Sequence, residues 1–406
     1  MAQPSGYSVV SYGGMINCEP RMSAYTEALR QAVTPGCTVI DIGAGFGIFA
    51  LLACQYGAGS VIAIEPDDAI ELLDEAAEAN NCRGRITIVR GISTNYVAPA
   101  NADVIISDLR GVLPLFEQHL PTIIDARQRL LAPGGRLIPA RDTLRAALVE
   151  HSQSYLPYSE PWARNKLGVD LSTGHRYAVN SWSKVSLAPD TLLSPAQDLL
   201  VLDYATITGS DIAAEALFMP DRAGTAHGFL LWFDAELAPG IGYSNAPGGP
   251  ELVYGQAFFP FEQIVELAPA DRVEISLRAN LVNRCYVWTW TSKVWRSSST
   301  RPEVTSKQST FLSEILSPMK LARRSPGFSP LARKSQDVDS HSLALFDGRR
   351  TLGEIAEVIA AKFPETFSTS AEALSHVTDL SERYRQSEGG PDPQEPALFP
   401  TRDERQ

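Results

Sequence analysis

Short apolar runs alternate with amphipathic stretches in the first third of the chain. The runs are rich in β-branched residues and nearly continuous, as expected of strands that are buried on both faces. The stretches between them, such as 68–80, have helical spacing. This alternation predicts parallel βαβ units in a doubly wound sheet. The four predicted strands are T-V-I-D-I (38–42), S-V-I-A-I (60–64), I-T-I-V (86–89) and D-V-I-I-S-D (103–108).

After about residue 145 the pattern changes to short segments in which apolar and polar residues alternate. Examples are 228–235, 272–279 and 285–292, and turns such as A-P-G-G-P separate them. This pattern predicts an antiparallel β-domain, either a sandwich or a β-barrel. Residues 298–340 are rich in Ser, Pro, Lys and Arg, which is typical of a linker. The predicted domains are 1–144, 145–297, the linker 298–340, a small helical unit at 341–386, and a disordered tail at 387–406.

Length and charge narrow the class of protein. The chain has 406 residues, enough for two or three domains, and Asp and Glu outnumber Lys and Arg by 47 to 35. That balance disfavours a nucleic-acid-binding protein. The five cysteines show no zinc or redox spacing, so we predict reduced thiols, a cytoplasmic location and no metal site. We expect neither a signal peptide nor a membrane span.

The segment V-I-D-I-G-A-G-F-G joins a predicted strand to a predicted helix through a glycine-rich turn. Such a turn allows a ligand to approach main-chain atoms. Asp41 directly precedes the turn, where a carboxylate holds a cationic group, and Glu65 ends the second strand, where a carboxylate accepts from ribose hydroxyls. With Gly43 and Gly45, these residues favour an S-adenosylmethionine site of the class I methyltransferase type. A dinucleotide fold, or glycines that serve only a tight turn, are the alternatives.

A narrower resemblance follows from S-D-L-R-G-V-L-P-L-F-E at 107–117. It resembles the double-glutamate loop of protein arginine methyltransferases, with Asp108 in place of the first glutamate and Glu117 as the second. Upstream, M-I-N-C-E-P-R-M-S-A-Y matches that family's pattern at Arg21 and Tyr25.

The resemblance implies a Rossmann-like cofactor domain followed by a β-barrel domain, with S-adenosylmethionine as the cofactor. It also implies a dimerisation arm near 172–204 and a homodimer. The implied catalytic residues are Asp108, Glu117 and His119. The implied cofactor-binding residues are Arg21, Asp41, Gly43, Gly45, Glu65, Ser93 and Thr94. The alternatives are that Asp108 caps a helix, Glu117 is solvated, His119 is packed, Arg21 lies on a helix surface, and Ser93 and Thr94 form a turn.

The sequence departs from the family around the acceptor. The family's threonine–histidine–tryptophan loop falls at Leu252, Val253 and Tyr254, so the histidine is missing. Only Tyr7 and Tyr12 correspond to the aromatic helix that covers the cofactor. Methyl transfer is therefore better supported than protein arginine as the acceptor.

The segment 344–359 is similar to the second half of PqqD-like domains, which hold leader peptides of ribosomally made natural products. The alternative is a helical hairpin that only packs on the β-barrel. The leading hypothesis is an N-methyltransferase acting on an arginine guanidinium or another amine of a peptide or amino acid, in natural-product biosynthesis. A small-molecule methyltransferase and a non-catalytic peptide-recruiting scaffold are the alternatives.

Overall fold

A parallel sheet forms the amino-terminal part of the computed structural model, which describes residues 7–163, 165–297, 299–331 and 336–384. The strand order is β3-β2-β1-β4-β5, and every neighbouring pair is parallel. The apolar runs of the sequence correspond to the first four strands; β1, β2 and β4 are largely buried, whereas β3, at the edge of the sheet, is half-buried or exposed along its length. The strands are β1 (Thr38–Ile42), β2 (Ser60–Glu65), β3 (Ile86–Arg90), β4 (Ala102–Ser107) and β5 (Leu131–Ile138).

Five α-helices accompany this sheet among the described residues. The stretch predicted as a helix at 68–80 is a 3-10 turn, Asp68–Glu71, continued by α4. The helix predicted after the glycine-rich turn begins at Ile48, because Gly47 in the left-handed region (φ 86°) is its N-cap. The helices are α1 (Val9–Asn17), α2 (Glu19–Ala32), α3 (Ile48–Gln55), α4 (Leu72–Ala79) and α5 (His119–Arg129).

Two antiparallel sheets follow. One has the order β7-β12-β10-β6-β8 with β11 paired to β10, and the other has the order β15-β14-β13-β9. The two sheets contribute to one apolar core, but no strand pairing within the described part of the chain joins them, so a closed barrel is not confirmed. The strands are β6 (Arg141–Val149), β7 (Ser183–Val185), β8 (Gln197–Asp203), β9 (Ile212–Phe218), β10 (Gly224–Ala238), β11 (Ile241–Ser244), β12 (Gln256–Leu267), β13 (Arg272–Val282), β14 (Cys285–Trp295) and β15 (Val304–Ser309).

The range 172–204, which the resemblance implies to be a dimerisation arm, contains two strands of the antiparallel sheets. Within it, β7 pairs with β12 and β8 pairs with β6, so both strands belong to the β-domain. An alternation of apolar residues that suits an exposed patch also suits a strand that is buried on one face. Two helices lie instead between β6 and β7, namely α6 (Ser152–Ala163) and α7 (Thr173–Ala178). The apolar side chains on which the arm prediction depends pack into the chain's own cores: Val185, Leu187, Leu192, Leu193, Leu199 and Leu200.

The range 298–340, predicted as a linker, includes regular secondary structure among its described residues. It contains β15, whose Gln308 is buried and accepts a hydrogen bond from Trp290 Nε1 at 3.0 Å. The sequence of β15 does not predict a strand, because only one of its six residues, Val304, is apolar. The chain divides into two compact units after Ile315, whereas the sequence suggests a boundary near residue 341.

The second unit is helical. In it, Thr351 and Glu354 form a capping box at the start of a helix. Its similarity to PqqD-like domains stays a prediction, and the predicted tail at 387–406 lies outside the described residues. None of the described helices is long and apolar enough to cross a membrane. The helices of this unit are α8 (Pro318–Ala322), α9 (Gln336–Ala344), α10 (Leu352–Lys362) and α11 (Ser370–Tyr384).

Candidate functional site

The glycine-rich turn after β1 has the backbone conformation that its sequence predicts. Gly43, Gly45 and Gly47 have φ angles of 70°, 53° and 86°, in the left-handed region that side chains disfavour. A Cβ added to Gly45 would lie 2.5 Å from a ring carbon of Tyr12 on α1. The ring of Tyr12 therefore packs against the main chain of the turn, and a side chain at position 45 would meet that ring.

Asp41 lies at the base of this turn and is fully buried. Its Oδ2 accepts a hydrogen bond from the backbone N–H of Ala50 at 3.1 Å, whereas its Oδ1 has no partner among the described residues. Burial raises the pKa of Asp41 to about 7, against the lowering effect of the Ala50 hydrogen bond. An unpaired buried carboxylate oxygen is costly, so this position fits the donor or cationic group of a ligand.

Glu65 ends β2 and touches the same turn. Its Oε2 accepts from the N–H of Gly45 and its Oε1 accepts from the N–H of Asp67, both at 2.9 Å. A carboxylate has about four acceptor positions, so about two remain for other donors such as ribose hydroxyls. Burial raises the pKa of this carboxyl, although both backbone hydrogen bonds oppose the shift.

Ser93 and Thr94 follow β3 on a short 3-10 turn, Ser93–Asn95. Ser93 is buried and Thr94 is exposed, and the backbone oxygen of Ser93 accepts from Arg129 Nη2 at 2.6 Å. The carboxyl ends of β1, β2 and β3 therefore carry the predicted cofactor residues to one edge of the sheet, where open α/β folds bind ligands. The orphaned oxygen of Asp41, the glycine turn and the free acceptor positions of Glu65 fit an adenosyl cofactor.

Asp108, which follows β4, is bound to groups of the chain itself. Its Oδ2 lies 2.7 Å from both Nε and Nη2 of Arg21 and accepts from Tyr254 Oη at 2.5 Å. Burial alone would raise the pKa of Asp108, but the positive charges of Arg21 and Arg110 outweigh burial and lower it to about 2. Asp108 is ionised and only 7% of its side chain is exposed. The resemblance implies an acceptor-binding carboxylate here, and that role stays a prediction; the contacts in the structure are those of an anchor for Arg21 and Arg110.

Arg110 is the second cation beside Asp108, and the sequence analysis missed it. Its Nε donates to Asp108 Oδ1 at 3.2 Å, its Nη1 donates to Asp142 Oδ1 at 2.9 Å, and its Nη2 donates to the hydroxyl of Tyr25. Its side chain has no exposed surface. The signal in the sequence is an arginine inside the otherwise apolar run L-R-G-V-L at 109–113, whose charge a buried partner must compensate.

Glu117 lies apart from this cluster on the surface of the same loop. It makes no hydrogen bond or ion pair with any described residue, and its φ of 41° lies in the left-handed region. The neighbouring Gln118 Nε2 donates to the backbone oxygen of Asn283 at 3.1 Å. Burial, and after it the charge of Glu117, raise the pKa of the Cys285 thiol. Glu117 therefore faces the β13–β14 hairpin, and the described contacts do not join it to Asp108.

His119 is buried, and its predicted catalytic role stays a prediction. Its Nε2 lies 3.0 Å from Tyr204 Oη, which donates to Asp142 Oδ2 at 2.5 Å. Burial, helped by the charge of Arg110, lowers the pKa of His119 to about 3, so the ring is neutral near pH 7. The side chain belongs to a buried network, because apolar packing on α5 brings it inward. The alternative of a packed histidine is the one that the structure supports.

Two tyrosines that the sequence does not predict as site residues also lie beside Asp108 and Arg21. Tyr254, at the position where the family has tryptophan, donates to Asp108 and accepts from Arg21 Nε at 3.1 Å. Its ring stacks on that of Tyr243 with centroids 5.8 Å apart, and the two hydroxyls are 3.0 Å apart. Only tertiary contacts reveal their part in the site, since β11 and the loop before β12 are distant in sequence from Asp108.

Comparisons with known proteins agree with this fold. A family model described as ribosomal protein L11 methyltransferase (PrmA) matches residues 23–139, which include the glycine turn and Asp108. The chain is 30% identical over 233 residues to a probable protein arginine N-methyltransferase 6 of Arabidopsis thaliana, a match that covers 55% of this chain and 53% of that relative. It is 27% identical over 265 residues to protein arginine N-methyltransferase 1 of Dictyostelium discoideum, covering 63% of this chain and 77% of that relative.

The chain resembles the protein arginine methyltransferases. Among solved structures, protein arginine methyltransferase 10 of Arabidopsis thaliana superposes with a TM-score of 0.67 at 20% identity, over 75% of this chain and 98% of that one. A Trypanosoma brucei enzyme–prozyme complex of protein arginine methyltransferase 1 with AdoHcy gives a TM-score of 0.67 at 18% identity, over 74% of this chain and 97% of that one. The predicted resemblance to class I S-adenosylmethionine-dependent methyltransferases is thus confirmed.

Proposed function

We propose that the chain is an S-adenosylmethionine-dependent N-methyltransferase whose acceptor is an amine or guanidinium nitrogen of a peptide or amino acid. The observation that carries the proposal is the common edge formed by the glycine turn, Asp41 and Glu65 at the ends of β1 and β2. Arg21, ion-paired to Asp108, extends this edge with a fixed positive charge for a ligand carboxylate. The names of the similar proteins support the same reaction class.

The bound cofactor would supply an activated methyl group on a sulfonium. In the transfer, an N–C bond forms as the S–C bond breaks, the electron pair of that bond stays on sulfur, and the acceptor nitrogen loses a proton. The chain contributes position and electrostatics. Glu117 supports the acceptor side of the proposal, because it is an exposed carboxylate with no partner among the described residues and lies on a strained backbone. Strain of that kind often accompanies functional positions.

Cofactor binding is tested by calorimetric titration with S-adenosylhomocysteine. Glu65→Ala should weaken binding at least tenfold, because the ribose hydroxyls lose their acceptor, while the control Glu78→Ala on the exposed face of α4 should bind like the wild type. Equal affinity in both variants would contradict the ribose contact.

Methyl transfer is tested with a labelled cofactor and peptide acceptors. We expect Glu117→Gln to lose turnover by at least a hundredfold and to keep its affinity for S-adenosylhomocysteine. Turnover at the wild-type rate would remove Glu117 from the acceptor site. A wild-type protein that binds the cofactor and methylates nothing would favour the scaffold alternative.

We also propose that the chain forms a homodimer, and the segment between β6 and β7 supports this. Its exposed apolar side chains are Leu156, Leu167, Val169 and Leu171, with Leu167 75% exposed. Grouped exposed apolar residues often mark interfaces. Sedimentation should give a dimer at micromolar concentration, and Leu167→Glu combined with Val169→Glu should give a monomer. A wild-type monomer would contradict this proposal.

A role in the biosynthesis of ribosomally made peptides is supported only by the similarity of 344–359 to PqqD-like domains. We expect a fluorescently labelled precursor peptide to bind the full chain with a measurable rise in anisotropy. The same titration with its leader segment scrambled is the control, and equal binding of both peptides would contradict the role.

A further inference from the structure

The loop after β4 already contains a bound guanidinium, that of Arg110. Its Nε and Nη1 donate to two different carboxylates, Asp108 at 3.2 Å and Asp142 at 2.9 Å. Its carbon centre lies 5.5 to 5.8 Å from the ring centroids of three aromatic residues, at a distance typical of cation–π contacts. The arrangement of two acids and an aromatic enclosure is a guanidinium site, and the chain's own arginine occupies it.

Asp108 consequently has little capacity for a second guanidinium. Its Oδ2 receives Arg21 and Tyr254, and its Oδ1 receives Arg110. A substrate guanidinium bound in the two-point manner would need both oxygens of a carboxylate in one plane. With 7% of the Asp108 side chain exposed, such a partner would first have to displace an arginine of the chain.

Displacement of Arg110 is strongly disfavoured by its surroundings. The side chains of Arg110 and Asp142 both have zero exposure, and Asp142 is held in turn by the hydroxyl of Tyr204. If Arg110 left, it would break an ion pair in the interior and leave Asp142 without a cation. Arg110 is therefore a fixed part of the loop.

Glu117 is then the one carboxylate of residues 107–120 that is open to an external cation, and a single carboxylate favours one class of acceptor. An ammonium is a compact charge that one carboxylate can pair, whereas a planar guanidinium gains most from two-point contacts. An alkylamine also loses its proton more readily, with a pKa of about 10.4 against more than 12 for a guanidinium. A free lone pair on nitrogen is what attack on a methyl group requires.

We propose that Arg110 determines acceptor specificity, so that the methylated group is an alkylamine paired with Glu117 and not a guanidinium held between two carboxylates. This inference rests on the proposed function and names its acceptor class. The transfer is balanced as above, with the N–C bond formed, the S–C bond broken, and the amine proton released to solvent.

The first experiment uses the wild-type full chain and two peptide libraries that differ only in whether the single basic residue is Lys or Arg. All peptides carry a free α-amine, the cofactor carries a labelled methyl group, and the products are identified by hydrolysis and mass spectrometry. We expect methyl-lysine or N-methylated α-amine at least tenfold above methylarginine. Methylarginine as the main product would overturn the inference while leaving the proposed function intact.

The second experiment needs no turnover. Methylguanidinium and methylammonium are titrated against the wild type, Arg110→Met, and the control Arg145→Met, with thermal midpoint as the readout. Methylguanidinium should raise the midpoint of Arg110→Met by several degrees, should act more strongly there than methylammonium, and should leave the wild type and the control unshifted. Stabilisation of the wild type as large as that of Arg110→Met would mean that an external guanidinium reaches Asp108, which overturns the inference.

Arg110→Lys is the second variant in case Arg110→Met does not fold. Lysine keeps the positive charge but cannot bridge Asp108 and Asp142 through one planar group, so methylguanidinium should still stabilise it more than it stabilises the wild type. If no peptide of either library is methylated although S-adenosylhomocysteine binds, the proposed function fails. The methylguanidinium titration would still show, without any turnover, whether an external guanidinium reaches Asp108.

Discussion

Replacing Asp108 with asparagine distinguishes an anchoring carboxylate from an acceptor-binding one. The variant keeps the shape of the side chain but removes the charge that faces Arg21 and Arg110. The fall of the Asp108 pKa from an ordinary 3.8 to about 2 corresponds to about 2 kcal/mol. Removal of one partner from a buried ion pair costs roughly 3 to 5 kcal/mol, since it also leaves cations uncompensated. We therefore expect a loss of about 2 to 5 kcal/mol.

The assay is a comparison of thermal midpoints at several pH values. At neutral pH the loss corresponds to roughly 5 to 15 °C for Asp108→Asn. The matched control is Glu117→Gln on the same loop, which should shift the midpoint by less than about 2 °C because Glu117 is exposed and has no partner among the described residues. The pKa of Asp108 is lowered in the folded state, so its stabilising effect is present above pH 4 and is lost as the pH falls towards 2. The difference between wild type and Asp108→Asn should shrink over that interval.

One result would refute this reasoning. If Asp108→Asn has the thermal midpoint and S-adenosylhomocysteine affinity of the wild type but loses turnover, then Asp108 acts on the acceptor and not as the anchor of two arginines. The inference about Arg110 would lose its basis at the same time, because a neutral partner at position 108 would then hold both arginines equally well.

Three further outcomes follow from the site. Gly45→Ala should weaken S-adenosylhomocysteine binding at least tenfold in calorimetry, because the added carbon meets Tyr12 at a φ of 53°, while Gly84→Ala, with open space around it, should bind normally. The raised pKa of Asp41, about 7, predicts S-adenosylmethionine affinity that is roughly tenfold lower at pH 6 than at pH 8, and Asp41→Asn should remove this dependence. His119 has a pKa of about 3, so His119→Gln should leave the shape of the pH–rate profile between pH 5 and 8 unchanged; loss of a limb near 6.5 would contradict its neutrality.

The parallel sheet was the part of the fold most open to prediction from the sequence. Strands buried on both faces need continuous apolar runs, and no other element competes for runs as short as 38–42 or 60–64. The β-domain was harder, since alternation shows that a strand exists but not which strand it pairs with. The apolar residues of β8 illustrate the difficulty, because only pairing with β6 distinguishes a sheet strand from an exposed arm.

The contacts of the glycine turn follow from the local sequence, whereas the contacts of Asp108 do not. Asp41, Gly45 and Glu65 lie within one βαβ unit, so their spacing in sequence fixes their proximity in space. The environment of Asp108 depends on partners from α2 and from the loop before β12, more than eighty residues away on either side. No local pattern encodes such contacts. The motif therefore drew attention to Asp108 but not to the groups that neutralise its charge.

The buried chain from His119 through Tyr204, Asp142 and Arg110 to Asp108 connects α5 and the β-domain to the loop after β4. Each hydrogen bond in this chain pairs two buried polar groups, so the loss of one member would leave its neighbour without that partner. Such a network fixes the start of the loop firmly. The far end of the loop, at Glu117, lies outside the network and faces the β13–β14 hairpin. A loop fixed at Asp108 and open at Glu117 holds its own cations at one end and leaves one carboxylate for a cation from outside, which is the arrangement that a single-point amine acceptor requires.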